Sequence, residues 1–359
     1  MAKKMIADIE TDDFRPSPHM VGQIISAYGL DSLQVVGEPL EGTGYVSYRV
    51  TTPKGVFALR RKKGSASKIM AKHPDIASSI EGQHNLMLFL HNHGFPVAPP
   101  LLTTEKETFV NITGIPWSLY PFVDGEPLEP TNLNQLRAAA QTLARYHQLT
   151  QKYHGEPPIS QEPFPELFDE AVKEFRRNTK RVDELMSRLG VAEGLRKFKT
   201  SLSQIETEMR ALPYDSLPHT VIHGDYKPGN ILFEGDAVAA VIDFGRSRNE
   251  ARLFDIAKMI GGLVGTSDDV TCKEMSSVLV TAYDKVALLD ALERKSLMLL
   301  VQARLAFKAL DRLIRLAEEK DDPENLGRAE RFNALVQRLD WVTANSEEIR
   351  RLLKQPPNS

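Results

Sequence analysis

The segment His223-Gly224-Asp225-Tyr226-Lys227-Pro228-Gly229-Asn230, with Asp243-Phe244-Gly245 after it, sets two polar, glycine-bearing turns among short apolar runs. Residues 220–222, 231–233 and 238–242 are rich in Val, Ile, Leu and Phe, the composition of short buried strands. The last two are joined by Glu234-Gly235-Asp236, a hairpin turn signal. A hairpin there brings Asn230 and Asp243, distant in sequence, to one end of a small sheet.

Outward from this β island the pattern is helical. Helices are expected over 133–150, 165–189, 194–211, 253–264, 274–286, 289–319 and 324–353, the sixth with a possible break. Upstream the texture differs. After sixteen polar residues, Ser17-Pro18 has the form of an N-cap with proline at the first helical position, and a short helix to about residue 28 follows. Runs 33–36, 45–52 and 55–61, separated by Gly42, Gly44 and Gly55, predict an antiparallel meander. A helix over 80–93 is stopped by Gly94, and strands follow at 108–112 and 116–123. The fold class expected is therefore α+β in two lobes: an N-terminal antiparallel-sheet lobe, residues 1–122, and a large, mostly helical C-terminal lobe, residues 123–359. Length agrees, since single cores stop growing beyond roughly 250 to 300 residues and the chain has 359.

Composition removes several classes. With 42% hydrophobic and 26% charged residues the chain is globular in type. A formal charge of −3 supplies no global field for a nucleic acid backbone or an anionic membrane. No run approaches the ~20 apolar residues of a membrane span, and no repeat of fixed period is present. The lone cysteine, Cys272, and a start without a secretory apolar segment point to the cytoplasm.

The first polar turn resembles the catalytic loop of kinases, and Asp243-Phe244-Gly245 resembles their metal-binding triplet. The resemblance implies that Asp225 receives or orients the proton of an incoming hydroxyl, and that Lys227 neutralises a γ-phosphate. It implies Asn230 and Asp243 as ligands of Mg²⁺, a cation that prefers hard oxygen donors. His223 and Gly224 shape the loop.

Other positions fall in the same series. Glu41-Gly42-Thr43-Gly44 stands where a turn would cover the nucleotide phosphates with backbone N–H groups, or is a plain hairpin turn. Phe57-Ala58-Leu59-Arg60 stands where kinases carry Val-Ala-Ile-Lys, so Arg60 is the candidate phosphate clamp and Lys62 its competitor; arginine and lysine are not equivalent there. Glu81 is the candidate acidic partner of Arg60, or serves only the helix dipole. Pro121, Phe122 and Val123 would form the adenine hinge. Asp255 resembles the aspartate that pins the catalytic loop from below, or is an ordinary helix N-terminal acid. Trp117, Trp341 and the stripe Leu299, Leu300, Ala303 and Leu310 are read as packing residues.

Glycine in place of arginine before Asp225, with the long helical C-terminal part, is similar to the aminoglycoside phosphotransferase and choline kinase superfamily, which includes homoserine and methylthioribose kinases. The resemblance covers about residues 33–317. Two details depart from it: Tyr45 in the first hairpin, where many members carry a small polar residue, and Lys227. No segment matches the Ala-Pro-Glu end of a protein-kinase activation loop. The resemblance implies an ATP- and Mg²⁺-dependent kinase acting on the hydroxyl of a small polar metabolite, with an acceptor pocket between the catalytic loop and the C-terminal helices. A protein serine/threonine kinase and a catalytically silent nucleotide-binding scaffold are the alternatives. Nucleic acid and membrane partners are not expected, and oligomeric state is not readable.

Overall fold

The computed structural model describes residues 15–41, 44–65, 69, 71, 75–112, 114–318 and 325–352. The chain divides into two compact units. The first comprises Met1–Glu126, Lys152–Ile159 and Leu232–Ser247; the second comprises Pro127–Gln151, Ser160–Ile231 and Arg248–Ser359.

The first unit is built on a five-stranded antiparallel sheet in the order β1-β2-β3-β5-β4. Its strands are β1 (Val35–Glu41), β2 (Tyr45–Thr52), β3 (Gly55–Lys62), β4 (Val110–Ile112) and β5 (Ile115–Pro121). Alternation along β2 turns Val46, Tyr48 and Val50 inward, and β3 and β5 add Leu59, Trp117 and Leu119. Helix α1 (Pro18–Ala27) covers this face with Met20, Val21, Ile24 and Ile25. The Ser17 hydroxyl accepts the Met20 N–H at 3.2 Å, the expected cap. Helix α2 (Ile76–Asn92) starts four residues before the expected position, behind Asp75 as N-cap. Strand β6 (Glu126–Pro127) marks the exit of the chain. The hairpin of β8 (Ile231–Glu234) and β9 (Ala237–Val241) ends in this unit, where the Val241 N–H donates to Pro96 O at 2.8 Å.

The second unit is helical: α3 (Leu133–Thr150), α4 (Phe164–Arg177), α5 (Thr179–Arg188), α6 (Ala192–Ala211), α7 (Leu253–Leu263), α8 (Asp269–Asp284), α9 (Ala291–Glu318) and α10 (Asn325–Leu352). The single helix expected over 165–189 is two, broken at Asn178, whose amide donates to Glu174 O at 3.0 Å. Helix α7 packs on α9 through Gly261; a Cβ there would lie 3.6 Å from Leu305. Leu299, Leu300, Ala303 and Leu310 are buried in the α9 core as expected. Strand β7 (His219–Ile222) pairs with β10 (Arg248–Ala251), which the sequence pattern does not predict. Its buried carboxylate, Glu250, accepts hydrogen bonds from Tyr214 Oη at 2.6 Å and the Phe164 N–H at 3.0 Å. Among the described residues no helix is long and apolar enough to cross a membrane.

Candidate active site

In the helical unit the loop leaving β7 is fixed from beneath by Asp255, the third residue of α7. Its Oδ2 accepts the His223 N–H at 2.8 Å and its Oδ1 accepts the Gly224 N–H at 2.9 Å. Gly224 turns with φ +73°, a left-handed conformation that a side chain resists, which is why glycine occupies this position. Tyr226 anchors the far side, its hydroxyl donating to Ala139 O at 2.8 Å.

This frame leaves Asp225 almost fully buried, at 7% exposure. Its Oδ2 accepts from Lys227 Nζ at 2.8 Å and from Asn230 Nδ2 at 3.1 Å. Its Oδ1 accepts from Lys258 Nζ, which also donates to Gly224 O at 2.8 Å. Burial alone would raise the Asp225 carboxyl, but the Lys258 and Lys227 ammoniums outweigh it and hold it well below the usual carboxylate range. Burial pushes the Lys258 ammonium the other way, down to about 7, with the Arg304 guanidinium adding to it and Asp225 opposing. The group is a carboxylate kept ionised by two neighbouring amines, one of them poised to lose its proton near neutrality.

Lys258 is the functional residue that sequence reasoning missed. Its spacing was the available signal: one helical turn after Asp255, it shares the face of α7 that meets the loop. Asp255 takes the loop's N–H groups while Lys258 takes a carbonyl and the carboxylate.

Asn230 closes the 3-10 turn Pro228–Asn230 and donates its amide to Asp225 O at 2.9 Å as well as to the side chain. With Nδ2 so committed, its carboxamide oxygen is the face left for a cation.

In the sheet unit, Asp243 sits just after β9 with φ +68°, a region that Asp tolerates better than most residues. Its Oδ1 accepts from Arg60 Nη2 at 2.7 Å. Arg60 in turn lies over the Tyr45 ring, 4.1 Å from its centre. Burial works against the Arg60 cation, yet Asp243 together with Tyr120 and Tyr45 keeps it firmly charged. Lys62, the competing clamp, reaches over the same Tyr45 ring at 5.3 Å. Burial and then the nearby Arg246 and Arg60 guanidiniums lower its ammonium.

The acidic partner proposed for Arg60 needs correction. Glu81 is exposed on α2 and forms no ion pair among the described residues; Arg60 takes Asp243 instead. Two residues on, about 200° around the helix, the buried Gln83 occupies the inward face. Its Oε1 lies 3.5 Å from the position a Cβ would take on Gly245, in the Asp-Phe-Gly triplet. Helical phase, which acidity alone does not reveal, separates these two positions.

Of the turn residues, Gly42 and Thr43 lie outside the described residues, and Gly44 accepts the Lys63 N–H at 3.0 Å. At the expected hinge, Phe122 donates its N–H to Val56 O at 3.1 Å and carries Arg49 on its ring at 4.7 Å. Pro121 has no N–H, so the remaining hinge N–H belongs to Val123.

No cluster of three or more His, Cys, Asp or Glu side chains suited to a metal is present among the described residues. Asn230, in the helical unit, and Asp243, in the sheet unit, each carry a hard oxygen of the kind that Mg²⁺ prefers.

A profile described as "Phosphotransferase enzyme family" matches residues 38–294. A homoserine kinase from Rhodopseudomonas palustris is 28% identical over 297 residues, covering 82% of this chain and 83% of its own. Among solved structures, an amicoumacin kinase in complex with AMP-PNP, Ca²⁺ and its ligand superposes with a TM-score of 0.66 at 16% identity, covering 94% of this chain and 96% of that one. A microcompartment-associated aminopropanol kinase does so with a TM-score of 0.64 at 14% identity, covering 93% and 99%. These neighbours share the two-lobed α+β fold.

Proposed function

The chain belongs to the phosphotransferase enzyme family, and from that membership we propose that it transfers the γ-phosphate of ATP to a hydroxyl of a small polar metabolite. The observation that carries the reading is the buried Asp225 carboxylate, kept ionised on a loop fixed by Asp255. The homoserine kinase relatives and the small-molecule kinase neighbours support a hydroxyl-bearing metabolite as acceptor rather than a protein.

Asp225 aligns the acceptor hydroxyl and takes its proton late in the transfer. Lys227 releases Asp225 to meet the γ-phosphate. Asn230 and Asp243 would hold Mg²⁺, which when bound offsets the charge of the phosphate oxygens. Arg60 then exchanges Asp243 for the α- and β-phosphates, a planar fork suited to two oxygens. Pro121, Phe122 and Val123 receive the adenine.

The direct test is incubation with ATP, Mg²⁺ and a panel of small alcohols, sugars and amino alcohols, following ADP and phosphorylated product together. Acceptor-dependent ADP and a phosphomonoester are expected; label entering only protein, or no ATP turnover with any acceptor, would overturn the reading. In calorimetry, Asp243→Ala is expected to abolish the Mg²⁺-dependent part of ATP binding. Nucleotide affinity that still responds to Mg²⁺ in that variant would remove Asp243 from the metal site.

Lys258 gives the reaction a pH dependence. Below about 7 its ammonium is charged and weakens Asp225 as a proton acceptor; above it the amine is neutral and the carboxylate gains basicity. The value of kcat should therefore rise with pH through about 7, and Lys258→Met should flatten that step. An unchanged profile in the variant assigns the titration elsewhere.

A further inference from the structure

Within the helical unit a cavity of about 780 Å³ lies between the end of α6, the first turns of α9 and the end of α10. Its size is that of a small-ligand pocket, roughly 300–1,000 Å³. Leu212 and Pro213, which follow α6, and Leu292 and Leu299 of α9 give it an apolar wall. Ser296 of α9 and Arg350 of α10 line it as well. None of its lining residues belongs to the catalytic loop or to the side chains bonded to Asp225.

Ser296 is 3% exposed, and its hydroxyl has no hydrogen-bond partner among the described residues. Inside a helix a serine hydroxyl can return to a carbonyl of the preceding turn. Ser276 and Ser346, also buried in helices, do so, at 2.8 Å to Cys272 O and 2.6 Å to Val342 O. Ser296 does not. Arg350 repeats the pattern: its Nη1 donates to Glu347 at 2.6 Å, while its buried Nε finds no acceptor among the described residues. Buried donors left unpaired are costly, and each calls for an occupant. The charges give that occupant its sign. Of the acids that line the cavity, Glu347 is engaged by Arg350, and Glu208 accepts from Gln204 Nε2 at 2.9 Å. Arg294 is held by both oxygens of Asp284 at 2.6 Å. Lys295, exposed at the cavity, forms no ion pair among the described residues. An unpaired ammonium, a guanidinium N–H and a hydroxyl without an acceptor are all satisfied by one group, an anionic oxygen.

We propose that this cavity binds a small monocarboxylate with an apolar body, its carboxylate taken by Lys295, Ser296 and the Arg350 Nε–H and its body laid on the leucine and proline wall. The Ser296 hydroxyl, tied to no backbone carbonyl, turns on a single bond to meet it. The site is separate from the catalytic loop and serves a ligand that is not the phosphoryl acceptor.

Calorimetry with the full-length protein tests this apart from phosphoryl transfer. The probes 4-phenylbutyrate, 4-phenylbutan-1-ol and 4-phenylbutan-1-amine share an apolar body and differ in the polar end. The carboxylate is expected to bind more tightly than the alcohol and the amine by about tenfold, the worth of one charge-assisted contact. Ser296→Ala should weaken it about fivefold while the thermal midpoint of the free protein holds or rises, because the deleted hydroxyl had no partner to lose. Lys295→Met should remove most of the preference for carboxylate over alcohol. Three results overturn the proposal: no binding of any probe at millimolar concentration, which leaves the cavity to water; equal affinity for the three polar ends; or binding of 4-phenylbutyrate that neither variant weakens, which places it elsewhere on the protein.

Discussion

Asp225→Asn is expected to lower kcat by about two to four orders of magnitude, the range for loss of a positioned general base. The variant should keep its fold and its affinity for ATP within a few fold, because the carboxylate serves the acceptor side. Stability is the informative control. Removing a buried anion normally strands its cation at a cost of several kcal/mol, but Lys258 holds its proton only to about 7 even beside Asp225. Without that carboxylate it sheds the proton and remains as a neutral amine donating to Gly224 O. Activity should therefore collapse while the thermal midpoint hardly moves. Activity within tenfold of the native protein, or a collapse of activity matched by unfolding, would deny Asp225 its place in the chemistry.

Much of this arrangement was legible in the chain. Strand β2 and helix α3 fall on their expected bounds because a two-residue alternation and a capped apolar stripe are local signals. The loop from His223 to Asn230 was legible because its polar residues stand between short buried strands, and the structure brings Asp225, Lys227 and Asn230 into mutual hydrogen bonding. Strand β10 was not, because Arg248-Asn249-Glu250-Ala251 owes its burial to partners far away in sequence. The break at Asn178 was hidden by an apolar stripe that continues through both helices. Glu81 and Lys258 fail for one reason: whether a charged residue on a helix faces solvent or the site depends on helical phase relative to a tertiary neighbour, and that neighbour is invisible to composition.

Asp255 separates two readings by magnitude alone. An acid in the first turn of a helix contributes about 0.3–1 kcal/mol through the helix dipole, and its removal should shift stability by no more than that. The structure gives it another role. Asp255 is fully buried, and its two oxygens accept from the His223 and Gly224 N–H groups while His147 Nε2 lies 3.3 Å from Oδ2. Burial would raise its carboxyl, yet the hydrogen bonds from His147 and the loop hold it below its ordinary value. Asp255→Ala leaves two buried N–H groups without acceptors, each worth about 1–3 kcal/mol, so a loss of about 3–5 kcal/mol is expected. Asp255→Asn should be nearly as damaging, because both oxygens are acceptors and an amide NH₂ in either place sets donor against donor. Denaturant titration of both variants measures this, with ATP turnover under folding conditions reporting how far the released loop misplaces Asp225. A loss below about 1 kcal/mol in both would leave only the dipole, and the loop would then owe its geometry to Gly224 and Tyr226.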